Sequence, residues 1–235
     1  MIIGFTGQKY SGKNTAALAF DGEQASFAYA LKYICESAWK VSAQEATKEQ
    51  EGISLYIARE LYPQNTNTHD ILFWELVRAY EDYTNITQVG MMPYGGVRQV
   101  KQLMDECKAG TLTPRRVWQV VGTNILRKWK ADAWIQALAS KLDSSKDYVI
   151  TDCRFQNEVD FIHSLGGMVI RIDRPATDSA TIEHASEDVK NLTVDAVVVN
   201  DSDIDTLHDR VRLAYLEWTI ARPDYWEGIF TQYGS

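Results

Sequence analysis

The sequence predicts an α/β protein in three layers, with a parallel sheet of about five strands and helices on both faces. Four short apolar runs lack polar alternation, as strands covered on both faces do. Helix-length segments alternate with the later runs, which favours right-handed βαβ units. A long middle stretch carries apolar residues at helical spacing, which indicates a large helical insertion. The strands are predicted at 2–6, 148–151, 168–172 and 196–199, with a weaker one at 25–27.

Helices alternate with these strands and dominate the middle of the chain. We predict them from their apolar spacing at 15–19, 27–39, 45–61, 71–83, 97–108, 114–142, 155–165 and 203–216. Thr113-Pro114 favours a helix start, because proline suits the first turn. Gly166-Gly167 favours a helix end before the next strand. Exposed loops are predicted at 65–68 and 90–96.

Length, charge and cysteine content exclude several classes of protein. The chain has 235 residues, 45% of them hydrophobic, which is enough for one sizeable domain. Its net charge of −8 disfavours a nucleic-acid partner, because phosphate backbones require clustered Lys and Arg. No apolar run approaches 18 residues and the chain opens on a strand, so we expect neither a membrane span nor a signal peptide. Cys35, Cys107 and Cys153 lack metal-like spacing and are expected as free thiols in the cytoplasm.

A glycine-rich loop follows the first strand directly and reads Gly7-x-x-x-x-Gly12-Lys13. This is the phosphate loop, in which backbone N–H groups and the following helix surround phosphate oxygens while the lysine neutralises them. It predicts contacts to the phosphates of ATP from Gly7, Ser11, Gly12, Lys13, Asn14 and Thr15. The alternative is a glycine-rich β–α turn with an incidental lysine.

The metal-ligand position of this loop departs from the usual pattern. Asn14 stands where a serine or threonine usually offers a hydroxyl to Mg²⁺, so Thr15 or a water is expected to serve instead. Asp152 ends a buried strand, where a carboxylate can hold Mg²⁺ or orient an acceptor. Arg154 follows two residues later, which favours a functional role for Asp152 over the alternative of a helix cap.

Arginines supply candidate partners for phosphate, because the planar guanidinium binds phosphate through two hydrogen bonds. Arg115 and Arg116 cannot face the same way on a helix, so one is expected to reach an acceptor phosphate and the other solvent. Arg127 lies on the same helical stretch, and the alternative for all three is a solvated helix face. Of Arg171 and Arg174, we favour Arg174, which opens a polar segment.

The elements together predict a single domain with three parts. Residues 1–27 and 146–235 form the core, about 28–145 form an insertion that binds an acceptor, and about 174–190 form a lid. Closure of a lid over ATP would exclude water from phosphoryl transfer. The alternative for the lid is an ordinary loop. Trp118, Trp129 and Trp134 are expected in the core rather than stacked on a base, and Ser186 is expected to cap a helix.

Several motifs occur in a fixed order along most of the chain. They are Gly7-x-x-x-x-Gly12-Lys13-x-Thr15, Phe27-Ala28-x-x-Leu31-Lys32, Thr113-x-Arg115-x-x-x-Gln119-x-x-Gly122-Thr123-x-x-x-Arg127, Asp152-x-Arg154-Phe155-x-Asn157-Glu158, Gly166-Gly167 and His184-x-Ser186-Glu187. In this order the chain resembles the deoxynucleoside monophosphate kinases of tailed bacteriophages. One departure is the short segment 16–26, which compresses the first helix and the second strand.

The resemblance implies an adenylate-kinase-like fold, ATP with Mg²⁺, and a deoxynucleoside 5′-monophosphate as acceptor. It implies that Lys13 and Arg154 act on phosphates, and that the acceptor side includes Lys32 and the stretch 113–127 with Gln119 and Thr123. The family also carries a non-hydroxyl residue after the loop lysine, which agrees with Asn14.

We therefore expect a kinase of deoxynucleotide biosynthesis, in the host cytoplasm if phage-encoded, with Lys13, Asp152, Arg154, Arg127 and Arg174 at its catalytic centre. Two alternatives remain: a kinase for another phosphorylated acceptor, such as phosphomevalonate or dephospho-coenzyme A, and a nucleotide-binding module without catalysis. The aromatic tail at 218–233 is expected to dock on the core or on a second subunit of a homodimer.

Overall fold

The computed structural model describes residues 1–86, 95–175 and 189–222. Two compact units divide the chain. One combines Met1–Ser26 with Asp143–Ser235, and the other is Phe27–Leu142. The first contains the sheet and is called the α/β unit below; the second is the helical unit. Residues 176–188, which make up most of the lid predicted at 174–190, lie outside the described residues.

The α/β unit contains the predicted parallel sheet of five strands. The strands are β1 (Ile2–Thr6), β2 (Glu23–Ala25), β3 (Tyr148–Ile150), β4 (Met168–Asp173) and β5 (Ala196–Val199). They lie in the order β2-β3-β1-β4-β5, and all four pairings are parallel. The weak fifth strand predicted at 25–27 forms two residues earlier, at Glu23–Ala25.

Helices cover both faces of this sheet, as the fold class predicted. Alternate residues of a strand point to opposite faces. Ile3 and Phe5 of β1 are fully buried in a cluster with the helices α1 (Lys13–Ala17) and α9 (Ile204–Ile220). Gly4, between them, faces Ile162 of α8 (Gln156–Ser164), so α8 covers the other face.

The short helix α1 is tied to α9 by two side chains one turn apart. His208 Nε2 lies 2.8 Å from the Thr15 carbonyl oxygen, and Arg212 Nε donates to the Ala19 carbonyl at 3.1 Å. A helix of five residues leaves most of its last carbonyls without an internal partner. These contacts bond one carbonyl within α1 and one just after it, and so hold the helix that follows the loop against α9.

The helical unit is built from helices that pack against one another. Its helices are α2 (Phe27–Trp39), α3 (Thr68–Thr84), α4 (Gly95–Lys108), α5 (Pro114–Gln119), α6 (Arg127–Trp129) and α7 (Ala133–Ala139). Trp39 and Tyr80 are almost fully buried in this unit. Trp39 Nε1 donates to the Leu72 carbonyl at 2.8 Å, and the Tyr80 hydroxyl lies 3.2 Å from the Ala133 carbonyl.

The helix predicted at 45–61 is wrong. Only two short 3-10 turns form there, at Glu45–Thr47 and Arg59–Leu61. Gly52 has a φ of 75°, which ends any right-handed helix at that point. The Ile53 N–H donates to the Leu112 carbonyl and the Tyr56 N–H to the Trp39 carbonyl. The backbone of this segment therefore bonds to distant parts of the unit instead of to its own preceding turn.

The prediction of one continuous α-helix at 114–142 is also wrong, because the stretch is interrupted. A π-helical segment, Val120–Leu126, separates α5 from α6, and Lys130 adopts an extended backbone that ends α6. The start is as predicted, with Pro114 in the first turn and the Thr113 side chain accepting from the Arg116 N–H at 3.1 Å. Trp134 Nε1 donates to the Gly122 carbonyl at 3.0 Å, which ties α7 to the π segment.

The remaining helices and strands form within a few residues of their predicted limits. In the part of the chain that the structure describes, no helix combines the length and apolar character needed to cross a membrane.

Candidate functional site

The carboxyl ends of the five parallel strands share one edge of the sheet in the α/β unit. The chain leaves β1 toward β2 on one side, whereas β4 and β5 lie on the other side of β1. Ligands of open parallel sheets bind outside the carboxyl ends of the strands, where the direction of winding reverses. The glycine-rich loop follows β1 and therefore lies at this position.

The geometry of the loop depends on its glycines. Gly7 has a φ of 143° and Gly12 a φ of 98°, values that glycine adopts easily and other residues avoid. A Cβ on Gly7 would collide with the Ile172 carbonyl oxygen, and one on Gly12 would collide with the side-chain amide of Asn200. Tyr10 also has a positive φ, of 66°, and its side chain is exposed. The turn therefore requires glycine at both predicted positions.

Lys13 lies over the loop that precedes it. Its ammonium group donates to the Gly7 carbonyl and to the Gln8 carbonyl, each at 2.7 Å. This arrangement holds the positive charge against the backbone of the loop. Asn14 is exposed and Thr15 half-buried at the start of α1.

Asn200 fixes the other side of the loop. It follows β5 immediately, and its N–H donates to the carbonyl of Asp173, the last residue of β4, at 2.8 Å. Its side-chain Nδ2 donates to the Ser11 carbonyl, also at 2.8 Å. Because the Ser11 carbonyl is held by Asn200, the loop conformation is coupled to the end of β5.

Three buried oxygens near the loop have no hydrogen-bond partner within the residues that the structure describes. They are Thr6 Oγ1, Gln8 Oε1 and Ser11 Oγ. Thr6 and Ser11 are fully buried. Buried polar groups in folded proteins are nearly always hydrogen-bonded, so such a group suggests a place for water or a ligand. The loop is thus lined by polar atoms that a bound group can satisfy.

Asp152 lies two residues beyond the end of β3. Its Oδ2 accepts from the Ser26 hydroxyl at 2.8 Å, and Ser26 likewise follows β2 directly. The alternative role of Asp152 as a helix cap is wrong. The helix α8 begins at Gln156, and the Glu158 carboxylate accepts from the Arg154 and Phe155 N–H groups at 2.8 and 3.2 Å. Glu158, which is 2% exposed, performs the capping.

Arginines flank the same edge of the sheet. Arg154 is half-buried between β3 and α8, and Arg174 is exposed after β4. Arg171 contacts both neighbouring segments of the chain. Its Nε donates to Asp173 at 3.1 Å, and its Nη1 donates to the Lys190 carbonyl at 3.1 Å. Arg171 thus ties the end of β4 to the segment that leads to β5.

In the helical unit, the two neighbouring arginines of α5 each form an ion pair. Arg115 Nη1 lies 2.7 Å from Glu49 Oε1. Arg116 donates from Nε to both oxygens of Glu106 at 3.0 and 3.1 Å, and from Nη2 at 2.9 Å. Each guanidinium is thus held by a carboxylate of the same unit, and the prediction that one of the two reaches an acceptor phosphate stays a prediction.

The other predicted acceptor residues lie on α2 and on the stretch from α5 to α6. Lys32 stacks its ammonium 4.8 Å from the centre of the Trp118 ring. Gln119 and Thr123 are half-buried, and Arg127 Nη1 donates to the Ala131 carbonyl at 3.5 Å. Trp118 and Trp134 are buried, as predicted, whereas Trp129 is only half-buried.

The cysteines are free thiols, as predicted. Burial raises the pKa of the Cys35 and Cys153 thiols, so neither is a nucleophile at neutral pH. Among the described residues, no three His, Cys, Asp or Glu side chains form a cluster of the kind that holds a metal ion.

Sequence reasoning missed Ser26, Asn200 and His208, and it missed the capping role of Glu158. Ser26 and Asn200 are polar residues that directly follow a strand, which is the rule that selected Asp152 and could have found both. Glu158 stands three residues after Phe155, the spacing at which a side chain caps the start of a helix. No local signal identifies His208, because its partner is 193 residues away in the chain.

The fold and the loop define the class of this protein: an α/β protein with the sheet and glycine-rich loop of phosphate-loop kinases. A family model, deoxynucleotide monophosphate kinase, matches residues 1–211. The chain therefore belongs to the deoxynucleotide monophosphate kinase family, as its motifs predicted. It is a phosphotransferase of deoxynucleotide metabolism.

Two relatives carry the same name. A putative deoxynucleotide monophosphate kinase of Acanthamoeba polyphaga mimivirus is 31% identical over 132 residues, which cover 49% of this chain and 67% of that protein. The deoxynucleotide monophosphate kinase of Escherichia phage RB69 is 23% identical over 244 residues, covering 89% of this chain and 97% of the relative.

Proposed function

We propose that this protein transfers the γ-phosphoryl group of ATP to a deoxynucleoside 5′-monophosphate, giving a deoxynucleoside diphosphate and ADP. The observation that supports it most is the glycine loop at the edge of the sheet, in a chain that the family model matches over residues 1–211. The bond between the γ-phosphorus and its bridging oxygen breaks, and a bond to an oxygen of the acceptor phosphate forms. No covalent enzyme intermediate is needed.

The loop residues bind the donor in this proposal. Gly7 and Gly12 allow the backbone to approach the phosphates closely, and Lys13 offsets their negative charge. Ser11, Asn14 and Thr15 lie beside them at the start of α1. A phosphate oxygen or its bound water gives the buried Ser11 Oγ a partner that it lacks within the described structure.

Asp152 and Thr15 carry oxygen atoms, the ligands that Mg²⁺ prefers, and this ion usually keeps several bound waters as well. The Asp152 carboxylate is half-buried, and its Oδ2 accepts from the Ser26 hydroxyl at 2.8 Å, which orients the group. Asp152 and Thr15 would hold the ion, which would supply positive charge to offset the negative charge of the ATP phosphates. The residues of the chain hold and orient it.

Arginines stabilise the transferred group in the proposed reaction. Arg154, Arg174 and Arg127 carry positive charge that offsets charge spreading over the γ-phosphoryl oxygens. The acceptor phosphate is largely a dianion at neutral pH, so it needs little help from a general base. The partners that we propose for the protein are two small nucleotides, ATP and a deoxynucleoside monophosphate.

A coupled assay for ADP release tests this function. The protein is supplied with ATP, Mg²⁺ and each of dGMP, dTMP, dCMP and dAMP in turn, and the products are separated by chromatography. We expect ADP and a deoxynucleoside diphosphate in equal amounts with at least one acceptor. Protein that binds ATP but releases no ADP with any of the four contradicts the proposal. Turnover with phosphomevalonate or dephospho-coenzyme A would then identify another acceptor, and binding without turnover a non-catalytic module.

A further inference from the structure

Asn200, at the carboxyl end of β5, touches one peptide group of the glycine-rich loop. Its side-chain Nδ2 donates to the Ser11 carbonyl at 2.8 Å. A Cβ on Gly12 would collide with the same amide, so the amide lies directly against the peptide that joins Ser11 to Gly12. The contact therefore acts on the orientation of this peptide.

The Ser11 carbonyl depends on this contact because the helix that follows does not reach it. Ser11 is fully buried. The Ala16 N–H donates to the Gly12 carbonyl at 2.9 Å, and among the described residues no backbone N–H donates to the Ser11 carbonyl one position earlier. Buried carbonyl groups in folded proteins are nearly always hydrogen-bonded. The amide of Asn200 therefore satisfies a carbonyl that the backbone leaves without a partner.

The same contact sets the direction of the Gly12 N–H. A trans peptide is planar, and its C=O and N–H bonds point in opposite directions. Since the Ser11 carbonyl is directed at Asn200, the Gly12 N–H is directed away from it. Within the described part of the chain, no backbone carbonyl accepts from this N–H. Backbone N–H groups are what such a loop offers to phosphate oxygens.

Glycine makes this peptide easy to turn over. Gly12 has a φ of 98°, and glycine populates positive and negative φ about equally, so a turn of the Ser11–Gly12 peptide meets little backbone strain at Gly12. After such a turn, the Ser11 carbonyl oxygen would stand where the Gly12 N–H had been. A carbonyl oxygen repels a phosphate oxygen, so the turned loop would bind phosphate less tightly.

The backbone on both sides of Asn200 is itself held in place. The Asn200 N–H donates to the Asp173 carbonyl at 2.8 Å, which continues the pairing of β4 with β5 by one residue. Arg210 of α9 donates from Nη1 to the Val199 carbonyl and to Asp201 Oδ1. The side chain of Asn200 is therefore presented to the loop from a segment that both the sheet and α9 anchor.

We propose that Asn200 is a positioning residue for the donor phosphates, which holds the Ser11–Gly12 peptide so that the Gly12 N–H is directed at them. This inference rests on the proposed function, in which the loop binds ATP. Asn200 acts through the loop and contacts no reacting atom. Its loss should therefore weaken the binding of the donor and leave the acceptor unaffected.

Binding of two ligands measured by calorimetry tests the proposal. ADP carries a base and a sugar, whereas inorganic tripolyphosphate offers only phosphate groups. Asn200→Ala should raise the Kd of both by about tenfold, the factor expected if the loop keeps its binding conformation about a tenth of the time. Unchanged Kd values would overturn the proposal. A loss confined to ADP would also overturn it, because Asn200 would then act on the nucleoside part.

Asn200→Asp separates the hydrogen bond from the space that the side chain fills. The aspartate has nearly the same shape but places a carboxylate oxygen against the Ser11 carbonyl, where the two acceptors repel. We expect its Kd for tripolyphosphate to exceed that of Asn200→Ala. Wild-type affinity in Asn200→Asp would show that only the shape matters and would contradict the proposal. Circular dichroism checks folding, and this variant serves if Asn200→Ala does not fold.

Two control variants lie on the same segment. Ser202→Ala removes an exposed hydroxyl two residues after Asn200, and Val198→Ala shortens a buried side chain two residues before it. Ser202→Ala should change nothing. Val198→Ala should lower the temperature of unfolding and leave the Kd for tripolyphosphate within about twofold. If it weakens binding as much as Asn200→Ala, lost stability of β5 explains both effects and the proposal is wrong.

Steady-state kinetics distinguish this inference from the kinase function. In an active enzyme, Asn200→Ala should lower kcat/KM for ATP by about tenfold and keep the KM of the acceptor within about twofold. An equal rise in the KM of the acceptor would contradict a role limited to the donor. Wild-type protein that transfers no phosphoryl group contradicts the kinase function alone, and the binding of tripolyphosphate then still decides the role of Asn200.

Discussion

The α/β unit and the helical unit prepare their functional groups in different ways. In the α/β unit, backbone geometry does most of the preparation: two glycines at positive φ and polar residues at the ends of parallel strands. In the helical unit, side chains on helices carry the candidates, and two of them, Arg115 and Arg116, are already bound to carboxylates. A site built from backbone is recognisable in a local motif, whereas a site built from helix faces depends on which faces meet.

The sharpest test of the backbone-built site is Lys13→Ala. We expect kcat/KM to fall by about 10³-fold or more, because the charge that offsets the phosphates is lost. Lys9→Ala is the matched control in the same loop, since Lys9 is exposed and lies against Tyr10. It should change kcat/KM by no more than about twofold. Equal losses in the two variants would show that the loop attracts ATP only through its total charge.

Glycine substitution compares the rigidity of the two units. Gly7→Ala adds both a strained φ and a collision with the Ile172 carbonyl, so we expect it to lower the free energy of unfolding by about 3 kcal/mol. Gly110→Ala in the helical unit has a φ of 72° but no atom near the added Cβ. It should cost about 1 kcal/mol from backbone strain alone. Urea unfolding measures both, and equal costs would mean that the loop relaxes to accept a side chain.

We expect alkaline pH to lower the free energy of unfolding through two tyrosines of the helical unit. Burial is the main cause that raises the pKa of Tyr62 and of Tyr80 to about 12 from the ordinary value of 10.0. The folded state therefore favours the neutral phenol more than the unfolded state does. The contribution of these two phenols to the free energy of unfolding is complete below pH 10 and is lost as the pH rises through 12. Tyr80→Phe should reduce this fall in stability between pH 10 and 12.

The control for that pH dependence is Tyr10→Phe, which alters an exposed tyrosine of the α/β unit. It should leave the alkaline fall as steep as in the wild type. Urea unfolding at several pH values between 9 and 12 measures both variants. If the free energy of unfolding of Tyr80→Phe falls at alkaline pH as much as that of the wild type, Tyr80 is not the cause of the fall.

The smallest expected effect concerns the paired arginines of α5. Arg116 and Glu106 share three hydrogen bonds, and we expect a double-mutant cycle to give a coupling of about 1 kcal/mol. Arg115 and Glu49 share one contact, and the Glu49 side chain is 62% exposed, so their coupling should be below about 0.5 kcal/mol. A coupling near zero for Arg116 and Glu106 would indicate that this guanidinium is available for a ligand.

The sequence predicted the α/β unit well because its signals are local. Strands 2–6 and 196–199 formed at the predicted residues, and the loop glycines adopt the backbone that the motif requires. The helical unit was predicted less accurately. The segment 45–61 has helical spacing of apolar residues, yet Gly52 and hydrogen bonds to Leu112 and Trp39 replace the helix.

The amino-acid sequence by itself determined the class of fold, the position of the phosphate loop and the membership of a kinase family. Each depends on residues that lie close together in the chain or in a fixed order. Only the tertiary structure decided which partner each polar group takes: Asn200 on Ser11, Glu158 in place of Asp152 at the start of α8, and Glu49 and Glu106 on the arginines of α5. The reason is physical. A hydrogen bond or ion pair needs two groups within about 3 Å, and packing alone brings residues distant in the chain to that separation.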